Sequence, residues 1–99
     1  MRKPPKLQPG DMVGIVSPSW GGAGAFPHRT QQGLAQLEAL GYRTRLAKHA
    51  LHHEGYVSSS PAQRAADIHE LFADPQVKAV IASIGGNHSC HLLPLLDFD

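Results

Sequence analysis

One segment constrains the fold of this 99-residue chain more than any other: an apolar run that ends at two glycines. Residues 79–84 are Ala-Val-Ile-Ala-Ser-Ile, Gly85 and Gly86 follow, and a polar cluster precedes Leu92. Such a run indicates a strand buried on both faces, as in a parallel sheet. Glycines beyond it allow a close approach of backbone to ligand, and open α/β sheets bind ligands at this end of their strands. An ordinary strand-to-helix turn explains the same pattern, so both interpretations stay open here.

Two further strands and three helices are predicted around that run. In chain order, the predicted elements are a strand over 12–16, a helix from Pro27 to Gly41, a strand over 42–47, a helix capped by Ser60 and ended by Asp74-Pro75, the strand over 79–84, and a short helix over 89–96 kinked near Pro94. Alternating strands and helices imply parallel strands joined by right-handed crossovers. The predicted fold class is α/β, a three-layer flavodoxin- or Rossmann-like domain. Three strands are few for a sheet covered on both faces, so we expect an incomplete sheet.

The helix after Ser60 is predicted to be amphipathic. Its apolar stripe is expected to pack on the sheet, while its charged side chains are expected to face water. The stripe comprises Ala65, Ile68, Leu71 and Phe72, and the charged positions are Arg64, Asp67 and Glu70.

Composition excludes several classes of partner. The net charge is +1 with no basic stripe, so we expect no nucleic-acid partner. The single cysteine, Cys90, cannot form an internal disulfide, which fits a reducing compartment. The chain starts without an apolar signal segment, and no run approaches the roughly 20 apolar residues of a membrane span. We therefore expect a cytoplasmic protein with no membrane partner.

The loop after the first strand is rich in glycine but matches no nucleotide motif. Its glycines at 21, 22 and 24 fit neither G-x-G-x-x-G nor a P-loop, so no nucleotide cofactor is predicted. Trp20 in this loop could stack on a substrate or cover the sheet edge, and the sequence does not separate these alternatives.

Ser89 and Cys90 are the residues that could be mistaken for a nucleophile. Ser89 follows a strand and opens a helix, but the flanking glycines of G-x-S-x-G are missing, so a helix-start hydroxyl is favoured. Cys90 lies between His88 and His91, yet the partners of a nucleophile usually come from distant positions. We expect Cys90 to be a buried structural thiol.

Seven histidines raise the alternative of a metal-dependent hydrolase. His49, His52 and His53 are close in sequence, but Cys90 is the only thiol and no pair-to-pair zinc spacing is present. We expect solvated loop histidines and no metal site.

Three segments, residues 11–19, 60–79 and 84–97, carry motifs in a recognisable order. The first resembles the opening "G-D-x-v-x-v-v-s-P-s" of the LD-carboxypeptidase family, and the second its "R-a-x-D-l" helix. The third resembles the family's glycine-pair motif, which runs on to a Leu-Leu-Pro segment. Together they cover nearly all of the chain. Family members with Arg before the glycine pair resemble murein tetrapeptide carboxypeptidases. This chain has Ile84 at that position, which is more similar to the branch of microcin C immunity peptidases.

The resemblance implies a serine peptidase with a Ser-Glu-His triad and no metal or other cofactor. The Gly-Tyr-Ser-Asp motif of the nucleophile is expected beyond Asp99, and Glu and His in a separate C-terminal domain. Residues 1–99 are therefore expected to be an N-terminal α/β domain, a fragment without a triad residue. It would supply the oxyanion side of the site through backbone N–H groups of the glycine pair. The expected oxyanion and substrate-binding residues are Gly85, Gly86, Asn87, Ser17 and Ser19.

The resemblance further implies that the whole protein cleaves an amide in a small peptide or a peptidyl-nucleotide, and that this fragment alone is inactive. The unfinished sheet would need its apolar flank covered by another copy or by further sequence, so a homo-oligomer is expected. The alternative is a non-catalytic flavodoxin-like binding or interaction module. It would be a stable monomer with a ligand at loops 17–24 and 85–88.

Overall fold

A computed structural model describes residues 5–19, 21–51, 58–84 and 87–97. Its elements are β1 (Met12–Val16), α1 (Gly22–Ala25), α2 (Pro27–Ala39), β2 (Arg43–Leu46), α3 (Pro61–Ala73), β3 (Val77–Ala82) and a 3₁₀ helix (Asn87–Leu95). The three strands form one parallel sheet in the order β2-β1-β3. The predicted α/β class and parallel sheet are confirmed.

Strand β1 lies at the centre of the sheet. All five of its residues are buried, and Ile15 is aligned with Leu46 of β2 and Ile81 of β3. The run over 79–84 is a strand as predicted, shifted to Val77–Ala82, but the expectation that it is buried on both faces is wrong. Ile81 is 43% exposed, and β3, which pairs with β1 alone, forms an edge of the described sheet.

Local signals place the ends of α2 and α3 as predicted. Pro27 begins α2, and Gly41 follows its C-cap with a φ of +98°, a left-handed conformation that favours glycine. At α3, the Ser60 hydroxyl accepts a hydrogen bond from the Gln63 backbone N–H, and the Gln63 side chain accepts one from Ser60 N–H. The predicted capping box is therefore present. The segment predicted as a loop over 20–25 contains the single helical turn α1 instead.

Helix α3 packs tightly on β1. The core cluster comprises Val16, Ala47, Ala50 and Leu71. At Gly14 a methyl group would lie 2.9 Å from Leu71 Cδ1 and 3.2 Å from Val77 Cγ1, so this close approach requires a residue without a Cβ.

The outward face of α3 differs from the sequence-based expectation. Arg64 and Asp67 were expected to face water, but they are 1% and 2% exposed, while Phe72 is 74% exposed. The helix stripe that faces the sheet and its loops holds Arg64, Asp67 and Leu71, at spacings of three and four, so Phe72 is turned outward. The buried charges have partners: Arg64 donates to backbone carbonyls, and Asp67 contacts the backbone N–H and the ring of His49.

Glu70 is exposed as expected, and Ala65 and Leu71 are buried. Across the described ranges, no helix has the length and apolar character that a bilayer crossing needs.

Candidate functional site

The loops that follow the three strands meet at the carboxyl edge of the sheet. The buried Ser17 hydroxyl donates to the carbonyl of Ala50, 2.7 Å away, and lies 2.8 Å from Ser83 Oγ. The Ser83 backbone N–H donates to Val16 O at 2.8 Å. Ser17 therefore ties together the loops after β1, β2 and β3, at the edge where open α/β sheets bind ligands.

Arg64 lies beneath this edge as a buried cation held by carbonyl groups. Its Nε donates to Ser59 O at 3.0 Å, and its Nη1 donates to Pro18 O at 2.9 Å and to His88 O at 3.0 Å. Burial lowers the pKa of the guanidinium, and the nearby Cys90 thiol acts in the opposite direction. An arginine remains protonated in a protein, so a fixed positive charge joins three chain segments.

Asp67, one helical turn beyond Arg64, anchors the loop after β2. Its carboxylate accepts hydrogen bonds from the His49 backbone N–H at 2.9 Å and lies 2.8 Å from His49 Nδ1. The Asp67 side chain is only 3% exposed and the His49 side chain 13%. Two buried charges of α3 thus hold the loops of all three strands.

Ser19 and Ser59 bring two buried hydroxyls to the same region. The Ser58 backbone N–H donates to Ser19 O at 2.7 Å, and the Ser58 hydroxyl donates to Ser17 O at 2.6 Å. Within the described part of the chain, the Oγ atoms of Ser19 and Ser59 are buried without a hydrogen-bond partner. Buried hydroxyls usually have one, so these two have unused bonding capacity.

Not all of the residues predicted for the site can be placed. Gly85, Gly86 and Trp20 lie outside the described residues, and Asn87 is the first residue of the 3₁₀ helix. The structure brings the predicted Ser17 and Ser19 to the edge where Ser83 and His88, the neighbours of the glycine segment, are also held. Arg64 and Asp67, which organise this edge, were missed by the sequence analysis.

The 3₁₀ helix changes the expectations for Ser89 and Cys90. The helix begins at Asn87, so Ser89 is its third residue: it lies in the first turn of the helix and not at the N-cap. Cys90 is exposed rather than buried, because the helix turns Leu92, 1% exposed, towards the protein. The rings of His88 and His91 pack edge to face with centroids 5.6 Å apart, as side chains three apart do on a 3₁₀ helix.

The histidines form no metal-ligand cluster within the described ranges. No group of three or more His, Cys, Asp or Glu side chains there could hold a metal ion. His49 is paired with Asp67, whereas His52 and His53 lie outside those ranges.

A cavity of about 350 Å³ lies on the opposite face of the sheet, between α2 and β3. Its walls are mainly apolar, with Ile15, Phe26, Leu34, Leu37, Ile81 and Ile84 among the lining residues. It lies apart from the Arg64 contacts, because Ile15 and Ile81 alternate with the residues that face α3.

The fold and the tied loops define a class of protein: a parallel α/β domain whose strand-following loops are fastened together at the carboxyl edge of its sheet. The chain belongs to the LD-carboxypeptidase family, since residues 13–99 match the model of that family's N-terminal domain. It is 39% identical to the putative carboxypeptidase YocD of Bacillus subtilis over 94 aligned residues. The alignment covers 95% of this chain and 29% of that protein. It is 34% identical to the probable murein peptide carboxypeptidase of the same organism, over 97% of this chain and 29% of that protein.

Solved structures of microcin immunity proteins share the fold. An MccF-like protein from Bacillus anthracis superposes with a TM-score of 0.88 at 35% identity, covering 95% of this chain and 29% of that one. Microcin C7 self-immunity protein MccF, solved with glutamyl sulfamoyl guanosine, gives a TM-score of 0.88 at 30% identity, over 92% of this chain and 27% of that one. The chain spans 27–31% of the length of the curated relatives it matches.

Proposed function

We propose that residues 1–99 are the N-terminal α/β domain of a serine-type carboxypeptidase or amidase and supply the oxyanion side of its active site. One observation carries the proposal: the loops after β1 and β3 are fastened together at the carboxyl edge through Ser17, Ser83 and Arg64. An oxyanion site needs donors that are fixed before the reaction, and a loop held at both ends meets that need.

The proposed reaction is acyl transfer to a serine supplied by polypeptide outside this chain. That serine attacks the amide carbonyl while a histidine, oriented by a glutamate, takes its proton and then gives it to the leaving amine. Water hydrolyses the acyl-enzyme in the second half of the reaction. The backbone N–H groups of Gly85 and Gly86 stabilise the tetrahedral oxyanion, each contributing roughly 3–4 kcal/mol. Ser17, Ser19 and Asn87 line the substrate side of the cleft.

The proposed substrate is a small peptide or a peptidyl-nucleotide, cleaved in the cytoplasm without a metal or other cofactor. Support comes from the neighbours: MccF has been solved with adenosine monophosphate, with aspartyl sulfamoyl adenosine and with glutamyl sulfamoyl guanosine. A relative bears the name of a probable murein peptide carboxypeptidase. Both substrate types present an amide next to a carboxylate or a phosphate-like group, which suits the same chemistry.

The test is an amidase assay on murein tetrapeptide and on an aminoacyl-sulfamoyl adenosine. We expect the 99-residue chain alone to hydrolyse neither. Joined in place of the matching segment of the Bacillus subtilis murein peptide carboxypeptidase, it should support turnover. Gly85→Pro and Gly86→Pro, which each remove one N–H donor, should then lower kcat about 10²–10³-fold.

Ser89→Ala is the matched control, because Ser89 lies in the following helix and has no assigned role. It should leave the turnover of the joined protein unchanged. Hydrolysis by the 99-residue chain that is abolished by Ser89→Ala would overturn the proposal.

The second candidate is a non-catalytic binding module, which the apolar cavity between α2 and β3 favours. A module of this kind would bind a ligand without turnover and remain monomeric. The fragment hypothesis differs, because it requires another copy or further polypeptide over β3 and the cavity.

A further inference from the structure

Arg64 has a bonding pattern that a purely stabilising side chain does not need. Among the described residues, it donates three hydrogen bonds, to carbonyls of Ser59, Pro18 and His88, which belong to three separate segments. All three partners are backbone carbonyl oxygens, so these contacts fix the positions of main-chain groups. A buried charge that loses its hydrogen bonds costs free energy. The carbonyl groups that accept from it are therefore held in defined positions and directions.

The guanidinium geometry makes these constraints mutually dependent. Pro18 O and His88 O both accept from Nη1, while Nε in the same plane is held by Ser59 O, so a movement of the guanidinium with the loop after β1 also strains the bond to His88. The pair of bonds on Nη1 directly couples the loop after β1 to the start of the 3₁₀ helix after β3. Just after β3, Ser83 is held by hydrogen bonds to Val16 and Ser17, so the chain is also tied to β1 before the 3₁₀ helix.

We propose that Arg64 is a positioning residue, which sets the placement of the β1 and β3 loops at the cleft through their main-chain carbonyls. The expected effect on kcat rests on the proposed function, whereas the expected effect on the positions of the loops does not. Arg64 touches neither substrate nor reacting atoms in this assignment; it acts through the loops.

The first experiment uses the whole chain with Arg64 intact. In the ¹⁵N-labelled protein, the Nε–H of Arg64 should exchange with solvent far more slowly than that of the exposed Arg29, because the Arg64 group is buried and hydrogen-bonded. Equal exchange of the two groups overturns the proposal without any substitution being made.

The second experiment substitutes the residue. Arg64→Ala should shift the backbone amide signals of Ser17, Ser19 and residues 87–91 and raise their exchange rates, and guanidinium-type cations in millimolar amounts should reverse both effects. Arg64→Lys retains the charge but not the planar fork, so it should not restore the loop signals. Glu70→Ala, on the exposed face of the same helix, is the matched control and should leave these signals in place.

If Arg64→Ala does not fold, Arg64→Lys and the exchange measurement on the unsubstituted chain decide the question. Loop signals that match the unsubstituted protein in Arg64→Lys would overturn the proposal, because charge alone would then suffice.

The third experiment measures catalysis in the joined protein described above. Displaced loops should lower kcat by about 10–100-fold while KM changes little, because fixed donors act mainly on the transition state. Restoration of kcat by added guanidinium cations supports positioning. If Arg64→Ala displaces the loops but the parent joined protein shows no turnover, the proposed function is refuted and the positioning role stays supported. If the loops are displaced and kcat is unchanged, the kinetic role of Arg64 is refuted.

Discussion

Gly14 shows how one absent methyl group permits the contact between α3 and β1. We predict that Gly14→Ala lowers the free energy of unfolding by about 1–3 kcal/mol, because the new Cβ would press on Leu71 and Val77. Gly33→Ala is the matched control: it lies within α2 with no atom within 4 Å of the added Cβ. It should stabilise the protein by up to about 1 kcal/mol through helix propensity. Urea denaturation of both variants measures the difference, and equal effects would contradict the close packing.

The unpartnered hydroxyl of Ser19 leads to a prediction that separates stability from activity. Ser19→Ala should raise the free energy of unfolding by about 1 kcal/mol, because it removes a buried polar group that has no described partner. Ser59→Ala should do the same by thermal denaturation. In the joined protein, only Ser19→Ala should also impair turnover, since Ser19 is the one assigned to the cleft. A Ser19→Ala protein that is destabilised contradicts the structural basis of this prediction.

At the scale of the element, α3 connects the sheet to its loops through Asp67. Asp67→Asn should lower the free energy of unfolding by about 2 kcal/mol, because an amide cannot accept from both the backbone N–H and Nδ1 of His49 as a carboxylate does. Chemical denaturation near neutral pH provides the measurement. Glu70→Gln, exposed on the same helix, should stay within about 0.5 kcal/mol of the unsubstituted protein. If both variants lose the same free energy of unfolding, the contacts of Asp67 with His49 do not stabilise the protein.

The ends of α2 and α3 could be predicted because their signals are local. Pro27, Gly41 and Ser60 act on backbone groups within a few residues of themselves, and the structure has them in those roles. That the loops after the strands meet at one edge could also be predicted, because alternating strands and helices imply parallel strands whose carboxyl ends lie together.

The burial of Arg64 and Asp67 could not be predicted from charge, because their partners are carbonyl and amide groups of distant segments. Nothing in the composition of a helix says which backbone groups lie opposite it. One signal was present: Arg64, Asp67 and Leu71 follow helical spacing, so they share the stripe that faces the protein. The glycine pair of the candidate site lies outside the described residues, and its role stays a prediction.

At the scale of the whole molecule, the most consequential feature is the exposed apolar side of β3. Its apolar composition is typical of an interior strand, yet in the described sheet it has one neighbour. Ile81 is 43% exposed, and Ile84, two residues beyond the strand, is 41% exposed. Unpaired strand edges and exposed apolar surface favour association. If the sheet is incomplete, as the sequence predicts, β3 is where a further strand or another chain is expected.

We predict that the 99-residue chain self-associates at micromolar concentration. Ile81→Lys should shift sedimentation velocity profiles towards monomer, because a charge on an edge strand opposes pairing with another chain. Leu40→Lys is the matched control, since Leu40 is also apolar and 61% exposed but lies at the end of α2. A monodisperse monomer for the unsubstituted chain would favour the binding-module alternative.

The central place of β1 has a consequence for synthesis on the ribosome. Its partners arrive late: residue 15 pairs with residue 46 and then with residue 81, and the carbonyl of His88 that Arg64 binds comes later still. Closing such long loops is entropically slow, so a half-made chain can hold at most one strand pair. The cleft is thus the last part of this domain to take shape, and a stalled or clipped translation product would contain the scaffold without it.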